Sequence, residues 1–267
     1  MLKVFIAGAT GWAGSALSKA VYASSDMELV GALSRSHSGK NLAEVLNLGQ
    51  GGIPIFKDIN EAIEKTNFDI MVEYTSPLVA KHNIISALKQ SRRVVVGTSG
   101  LTVSDYEEIE SVAKDYSTSV LAVGNFSITA VLLQKFSEMA VKYVPNLEVI
   151  EYGHEDKLDA PSGTVRELVN KLSQQLKSPN IHVPDEKVIG VKETRGGTIN
   201  GLKVHAIRLP SYMISVETIF ALEDERLTIR HDSGRNANPY VRGAMLAIQK
   251  VSTFKGLKRG LDSVIDF

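Results

Sequence analysis

The chain has 267 residues, room for one large or two modest domains, and a hydrophobic share of 43% that can supply proper cores. Its 30 basic and 30 acidic residues cancel, so no global charge draws it to nucleic acid or an anionic membrane, and no apolar run approaches a membrane span of ~20 residues. With no cysteine, disulfides, thiolate catalysis and cysteine-held metals are excluded, and the composition suits a soluble protein of the cytoplasm.

The first apolar run, residues 3–7, leads into Gly8-Ala9-Thr10-Gly11-Trp12-Ala13-Gly14 and then a helical pattern from Ser15. This reads as strand, tight turn, helix. The G-x-x-G-x-x-G spacing departs from the commoner G-x-G-x-x-G, yet it meets the same physical demands. Glycine permits the turn, and missing side chains let a dinucleotide's pyrophosphate approach the helix N-terminus. Gly8, Thr10, Gly11, Trp12, Ala13 and Gly14 are therefore expected to hold a cofactor diphosphate. A second apolar run, 28–33, ends on Ser34-Arg35-Ser36-His37-Ser38-Gly39-Lys40. A ribose-reading acid would stand there in an NAD site, and none does. Ser34 and Arg35, with Lys40 nearby, suit a 2′-phosphate, so NADPH is the expected cofactor and NADH a possible second. The bland alternative is a solvated basic loop.

Further strand patterns cover 53–56, 70–74, 93–97 and 120–123, separated by helical patterns at 60–66, 77–90 and 103–115. Strand-helix alternation implies a parallel sheet covered on both faces, with ligands gathering at the carboxyl ends of its strands. Thr75, Gly97, Thr98, Ser99, Asn125 and Phe126 fall at those ends and join the cofactor candidates. Read structurally, Ser76-Pro77 is a good helix start, and Gly97 and Gly100 are turn residues.

After Asn125 the rhythm changes. Helical patterns at 130–143 and 165–176 flank a strand at 147–152, a polar connection runs over 177–187, and β-rich segments follow at 188–191, 203–209, 215–221 and 225–232. A last helical pattern, 239–251, resembles those of the first half. The expected fold class is α/β: a Rossmann-type doubly wound parallel sheet (residues 1–124 and 236–267) with a second, α+β substrate and oligomerisation domain carrying a mixed sheet (125–235).

The segment from Glu151 to Thr164 reads E-Y-G-H-E-D-K-L-D-A-P-S-G-T. Charged residues precede a helix start at which unpaired N–H groups, the Ser162 and Thr164 hydroxyls and Lys157 suit a carboxylate or phosphate. The alternative is an ordinary capped helix with Pro161 in its first turn. His154, Glu155 and Asp156 are consecutive and rarely converge on one ion, so no metal is expected. His37, His82, His182, His205 and His231 are assigned structural or surface roles.

The glycine turn, Val96-Gly97-Thr98-Ser99-Gly100, Gly124-Asn125-Phe126-Ser127 and above all Lys157-Leu158-Asp159-Ala160-Pro161-Ser162-Gly163-Thr164 resemble the dihydrodipicolinate reductase family nearly end to end. Arg195-Gly196-Gly197-Thr198, His205 to Pro210 and Leu227 to Ser233 add to the likeness. The resemblance implies an NAD(P)H-dependent reduction of a small carboxylated cyclic imine in the diaminopimelate route to lysine, by a homotetramer. Ser162, Gly163 and Thr164 would bind a substrate carboxylate, with Lys157 the first candidate for protonating the substrate and His154 the second. One departure stands at the centre of the motif: the family's first histidine, usually assigned as proton donor, is Gly153 here, and Glu155 and Asp156 replace usually basic residues. A reductase of another imine, or a nucleotide-binding relative without catalysis, are the alternatives.

Overall fold

The computed structural model describes residues 1–176, 183–234 and 236–266. The chain forms two compact units, Met1–Ile128 with Ala237–Phe267, and Thr129–Asn236. The breaks fall at 128/129 and 236/237, against the expected 124/125 and 235/236.

The first unit is built on a parallel sheet. Its strands are β1 (Leu2–Ala7), β2 (Met27–Leu33), β3 (Ile55–Phe56), β4 (Ile70–Glu73), β5 (Arg93–Val96), β6 (Ser119–Ala122) and β12 (Gly256–Arg259), in the order β12-β6-β5-β4-β1-β2-β3. Val4, Phe5, Ile6, Ile70, Met71, Val72, Val94 and Val95 have no exposed surface, as expected of strands covered on both faces. The order reverses direction between β1 and β4, where Ala7 pairs with Glu73, and a crevice opens at such a point beyond the carboxyl ends. Helices α1 (Trp12–Tyr22), α2 (Leu42–Val45), α3 (Ile59–Lys65), α4 (Pro77–Lys89), α5 (Val103–Asp115) and α8 (Asn238–Lys250) belong to this unit. Their starts are chemically explicit. Asp58 accepts from the Asn60 and Glu61 amides at the head of α3, and Thr102 and Asp105 form a reciprocal capping box on α5.

In the second unit β7 (Asn146–Gly153), β8 (Gly197–Ile199), β9 (Leu202–Arg208), β10 (Ile214–Ala221) and β11 (Arg226–Ser233) lie in the order β11-β10-β7-β9-β8. The sheet is mixed, since β7 and β9 are parallel and the other pairs antiparallel. Helix α6 (Ile128–Ala140) leads into the unit and α7 (Gly163–Ser173) follows β7. Val165, Leu168, Val169 and Leu172 make a stripe at helical spacing, fully or almost fully buried with Leu147, Val149, Val204 and Phe220 of the sheet. Each such side chain contributes roughly 1.5–3 kcal/mol of burial, which anchors the helix whose first turn carries the candidate anion site.

The expected α/β class, parallel sheet and second mixed sheet are present. Three local expectations change. Residues 188–191 form no strand: Gly190 turns with φ 106°, Ile189 and Val191 are exposed, and pairing begins only at β8. The strand expected at 53–56 shrinks to Ile55–Phe56, because Pro54 has no N–H for the ladder. Strands β8 and β12 and the short α2 are additions, since none carries a period in sequence. The first part of the expected 177–187 connection, with His182, lies outside the described residues.

Candidate active site

Gly8 leaves β1 with φ 84°, and a Cβ there would stand 2.5 Å from the Tyr74 carbonyl oxygen. Gly14 is equally constrained, since its Cβ would lie 2.1 Å from the Gly8 oxygen. These two glycines bring α1 down onto the turn. Gly11 is the N-cap of α1 and no side chain caps it, so the first-turn amides, those of Ala13 and Gly14 included, meet no side-chain acceptor and suit an anion. Trp12 is largely exposed and packs edge-on against Tyr240 of α8 with centroids 5.7 Å apart. Thr10 Oγ1 lies 2.8 Å from Ser34 Oγ, tying the turn to the tip of β2.

A cleft of about 440 Å³ opens beside this turn, with Gly8, Gly11, Ser34, Arg35, Lys57 and Thr75 on its wall. Arg35 is exposed there. Lys57, at the carboxyl end of β3, is the second wall cation; Lys40, considered from sequence, does not line the cleft. Asp58 is also on the wall, but its carboxylate is occupied in capping α3. His82 lines the cleft as well, and His37 Nδ1 sits 2.9 Å from Ser36 Oγ.

The remaining cofactor candidates converge on a residue that sequence reasoning missed. Glu73, the last residue of β4, has no exposed surface. Its carboxylate accepts from the Thr75 amide at 2.7 Å, from the Thr75 hydroxyl and from Asn83 Nδ2 at 2.9 Å. Thr98 Oγ1 donates to the Glu73 carbonyl oxygen at 3.1 Å. No cation is among these partners, and burial pushes the Glu73 carboxyl above its ordinary range. Gly97 lies against the Tyr74 ring, 2.0 Å from where its Cβ would be, and Phe126 meets the same ring edge-on at 5.7 Å. Asn125 Oδ1 accepts from the Ser127 amide at 2.9 Å. Thr75, Gly97, Thr98 and Phe126 thus form one cluster, with Ser99 exposed beside it. The sequence does carry a signal for Glu73: a carboxylate ending the apolar strand Ile70-Met71-Val72.

In the second unit the residues singled out from sequence share one strand end and one loop. Strand β7 alternates so that Glu151 and Gly153 are buried, and Gly153 pairs in parallel register with Arg208. Glu151, 1% exposed, accepts from Arg208 Nη2 at 2.9 Å and from the Ser162 amide at 2.6 Å. Arg208 Nη2 also donates to the Asp159 carbonyl oxygen at 2.6 Å, and Nη1 to that of Ile207 at 2.9 Å. A Cβ on residue 153 would stand 3.0 Å from Arg208 Nη1 and 3.2 Å from Lys157 Cδ. The volume beside Gly153 is therefore taken by the guanidinium and the lysine stem.

Ser162 caps α7, its hydroxyl accepting from the Val165 amide at 3.3 Å. Since its own amide serves Glu151, the carboxylate site expected at Ser162, Gly163 and Thr164 has its exposed first-turn donors at Gly163 and Thr164. Lys157 Nζ pairs with the Asp159 carboxylate, and this contact holds the Asp159 carboxyl below its ordinary range. His154 Nδ1 stands 3.2 Å from the Asp156 carboxylate. Glu155 and Asp156 are both exposed, so the two acids that replace basic residues project outward. Glu151 and Arg208 were missed as partners because only the β7/β9 register unites them. His205 pairs with Glu148 at 2.8 Å, and buried His231 with Thr129 at 2.9 Å.

Comparison with known proteins places the chain in a family. The family model described as "Dihydrodipicolinate reductase, N-terminus" matches residues 2–126, and the one described as "Dihydrodipicolinate reductase, C-terminus" matches residues 129–265. A 4-hydroxy-tetrahydrodipicolinate reductase of Bacillus pumilus is 35% identical over 99% of this chain and 98% of its own length. One from Listeria innocua is 33% identical over 99% of this chain and all of its own. Among solved structures, a dipicolinate-bound dihydrodipicolinate reductase from Paenisporosarcina sp. TG-14 superposes with a TM-score of 0.90 at 29% identity, covering 99% of this chain and 100% of that one. An amine dehydrogenase from Mycobacterium smegmatis, at 13% identity and a TM-score of 0.68, shares the fold.

Proposed function

We propose, from the premise that this chain belongs to the dihydrodipicolinate reductase family, that it reduces 4-hydroxy-tetrahydrodipicolinate to tetrahydrodipicolinate with NAD(P)H in the diaminopimelate route to lysine. The observation that carries the reading is that both halves of the family's sequence pattern are present end to end, the break at 126/129 falling where one compact unit gives way to the next.

The first unit fits a nicotinamide dinucleotide. The close approach that Gly8 and Gly14 allow and the uncapped start of α1 suit a diphosphate, held by Gly8, Thr10, Gly11, Trp12, Ala13 and Gly14. Ser34 and Arg35, with Lys57, would hold a 2′-phosphate, while Thr75, Gly97, Thr98, Ser99, Asn125 and Phe126 would form the nicotinamide side. When bound, the nicotinamide supplies a hydride. Two wall cations and the engagement of Asp58 in a helix cap support NADPH as the preferred form.

In the second unit Gly163 and Thr164 offer amides and a hydroxyl to one substrate carboxylate at the positive end of α7. Lys157, held beside the Asp159 carboxylate, is the proton source; His154, held by Asp156, is the second candidate. The hydroxyl leaves as water together with a hydrogen from the adjacent ring carbon, and a hydride and a proton add across the conjugated double bond so formed. Ile207, Leu209 and Leu227, apolar side chains exposed on the second unit, support the homotetramer that the family likeness suggests, in a cytoplasmic setting.

The test is a turnover assay with the substrate generated in situ, using NADPH and NADH separately. NADPH should be oxidised only when substrate is present, and faster than NADH at low concentration. A folded protein that oxidises neither sinks the reductase reading; equal use of both removes the preference alone.

A further inference from the structure

We infer that the pair of half-buried Arg208 and buried Glu151 is a positioning device for the substrate-carboxylate receptor, and that Gly153 is the residue that gives it room. This rests on the proposed reading of residues 157–164 as the receptor. Buried ion pairs seldom stabilise a fold more than apolar packing of the same volume does, so what this pair orders is the informative question.

Its hydrogen bonds land on the backbone that builds the receptor. Arg208 Nη2 holds the Asp159 carbonyl, Glu151 holds the Ser162 amide, and the two are joined by the 2.9 Å contact between Nη2 and Oε1. The turn from Asp159 to Ser162 is thereby clamped at both ends. On one side of the clamp the Asp159 carboxylate engages Lys157; on the other, Ser162 caps α7 and sets the direction of the Gly163 and Thr164 donors. A shift in the turn therefore moves the cation and the carboxylate donors relative to each other.

The guanidinium is suited to this and an ammonium is not. Its rigid fork reaches the Asp159 oxygen and the Glu151 carboxylate through one nitrogen and the Ile207 oxygen through the other. The fork lies in the volume that a side chain on residue 153 would occupy, with Nη1 3.0 Å from the position of a Cβ. Glycine at 153 thus leaves the fork undisturbed, where a Cβ would make the guanidinium give by a few tenths of an ångström.

Arg208→Lys keeps the charge and loses the fork. Steady-state kinetics and calorimetric titration with pyridine-2,6-dicarboxylate should show the KM for substrate and the Kd for the dicarboxylate both rising about tenfold or more, with the KM for NADPH within about twofold. Gly153→Ala, whose Cβ presses on Nη1, should shift the same constants in the same direction by less. If Arg208→Lys leaves both constants as they were, even with a lower melting temperature, the pair is merely structural and the inference fails. Should that variant not fold, Glu151→Gln is expected to raise the same two constants, and its failure to do so is equally fatal. An unaltered protein that binds the dicarboxylate without turnover sinks the reductase reading, and the clamp is then judged on Kd alone. Absence of both binding and turnover removes the receptor and the clamp together.

Discussion

Glu73 and Glu151 are both buried glutamates near strand ends, one in each unit, and each gathers the loops that carry candidate site residues. Around Glu73 the partners are neutral: two threonines and an asparagine. Around Glu151 they are the Arg208 guanidinium and a backbone amide. The difference follows from what each unit has to present. On the proposed reading the first offers a phosphate cradle made of backbone, in which Gly8 and Gly14 set the shape and bare helix-start amides provide the positive end. It needs no internal cation, so its acid is organised by dipoles and burial penalises its ionisation. The second, on the same reading, presents a positive charge to a carboxylated substrate, and there each of the two cations has its own acid: Asp159 for Lys157, Glu151 for Arg208. Charge is matched pair by pair where charge is the working element, and shape dominates where backbone is.

The sharpest break in this comparison is removal of the working charge. Lys157→Ala should lower turnover about 10²–10⁴-fold, the usual worth of general-acid assistance, with NADPH affinity unchanged because the cofactor unit does not depend on that pair. His154→Ala, which frees an exposed Asp156, should cost far less. Stopped-flow single-turnover measurements separate the chemical step from binding. A silent Lys157→Ala would falsify the assignment of Lys157 as proton source.

A smaller effect is expected where the first unit does use side-chain charge, at the rim of its cleft. Arg35→Ala should weaken NADPH binding about tenfold to a hundredfold, the cost of a charge-assisted hydrogen bond, and NADH much less. Lys57→Ala should act in the same direction by a lesser amount. Fluorescence titration of both cofactors reads the ratio directly, and equal losses for the two would place the 2′-phosphate elsewhere.

The order of legibility in the sequence follows the same division. Apolar runs and glycine spacing are local signals, so the parallel strands, α1 and the turn at Gly8 to Gly14 are legible in the chain itself. In the second unit the start of α7 is legible through Pro161-Ser162-Gly163-Thr164, which needs only a helix boundary. Contacts closed by register are not legible in this way. Arg208 and Glu151 are 57 positions apart and meet because β7 and β9 run parallel. Strand β12 gains its place from pairing with β6, not from any period in Gly-Leu-Lys-Arg. The opposite error arises at 188–191, where a short apolar run, Val188-Ile189-Gly190-Val191, has no sheet surface to pack on. Glu155 and Asp156 are visible in sequence, but only exposure shows that they leave the charge pairing of the motif intact.

The smallest effect expected is a stability difference at Glu73, and it tests the neutral side of the comparison. Burial raises this carboxyl above its ordinary value of 4.5, against the pull of its hydrogen bonds from Thr75, Asn83 and Thr98. In the unfolded chain the group loses its proton near that ordinary value, while in the folded protein it holds the proton to higher pH. Its contribution to stability is therefore fully present below 4.5 and is lost as pH rises through the folded value. Glu73→Gln removes the titration and keeps the shape. The glutamine oxygen still accepts from the Thr75 amide and hydroxyl, and Asn83 turns its amide to present its oxygen to the new donor. The melting temperature of the variant relative to the unaltered protein should therefore climb as pH rises from the ordinary carboxyl value through the folded one, and level off above it. NADPH affinity should stay close to unaltered, because the loops keep their hydrogen bonds. A gap that narrows with rising pH would mean that the ionised carboxylate is favoured in the fold, and that Glu73 has a positive partner as Glu151 does.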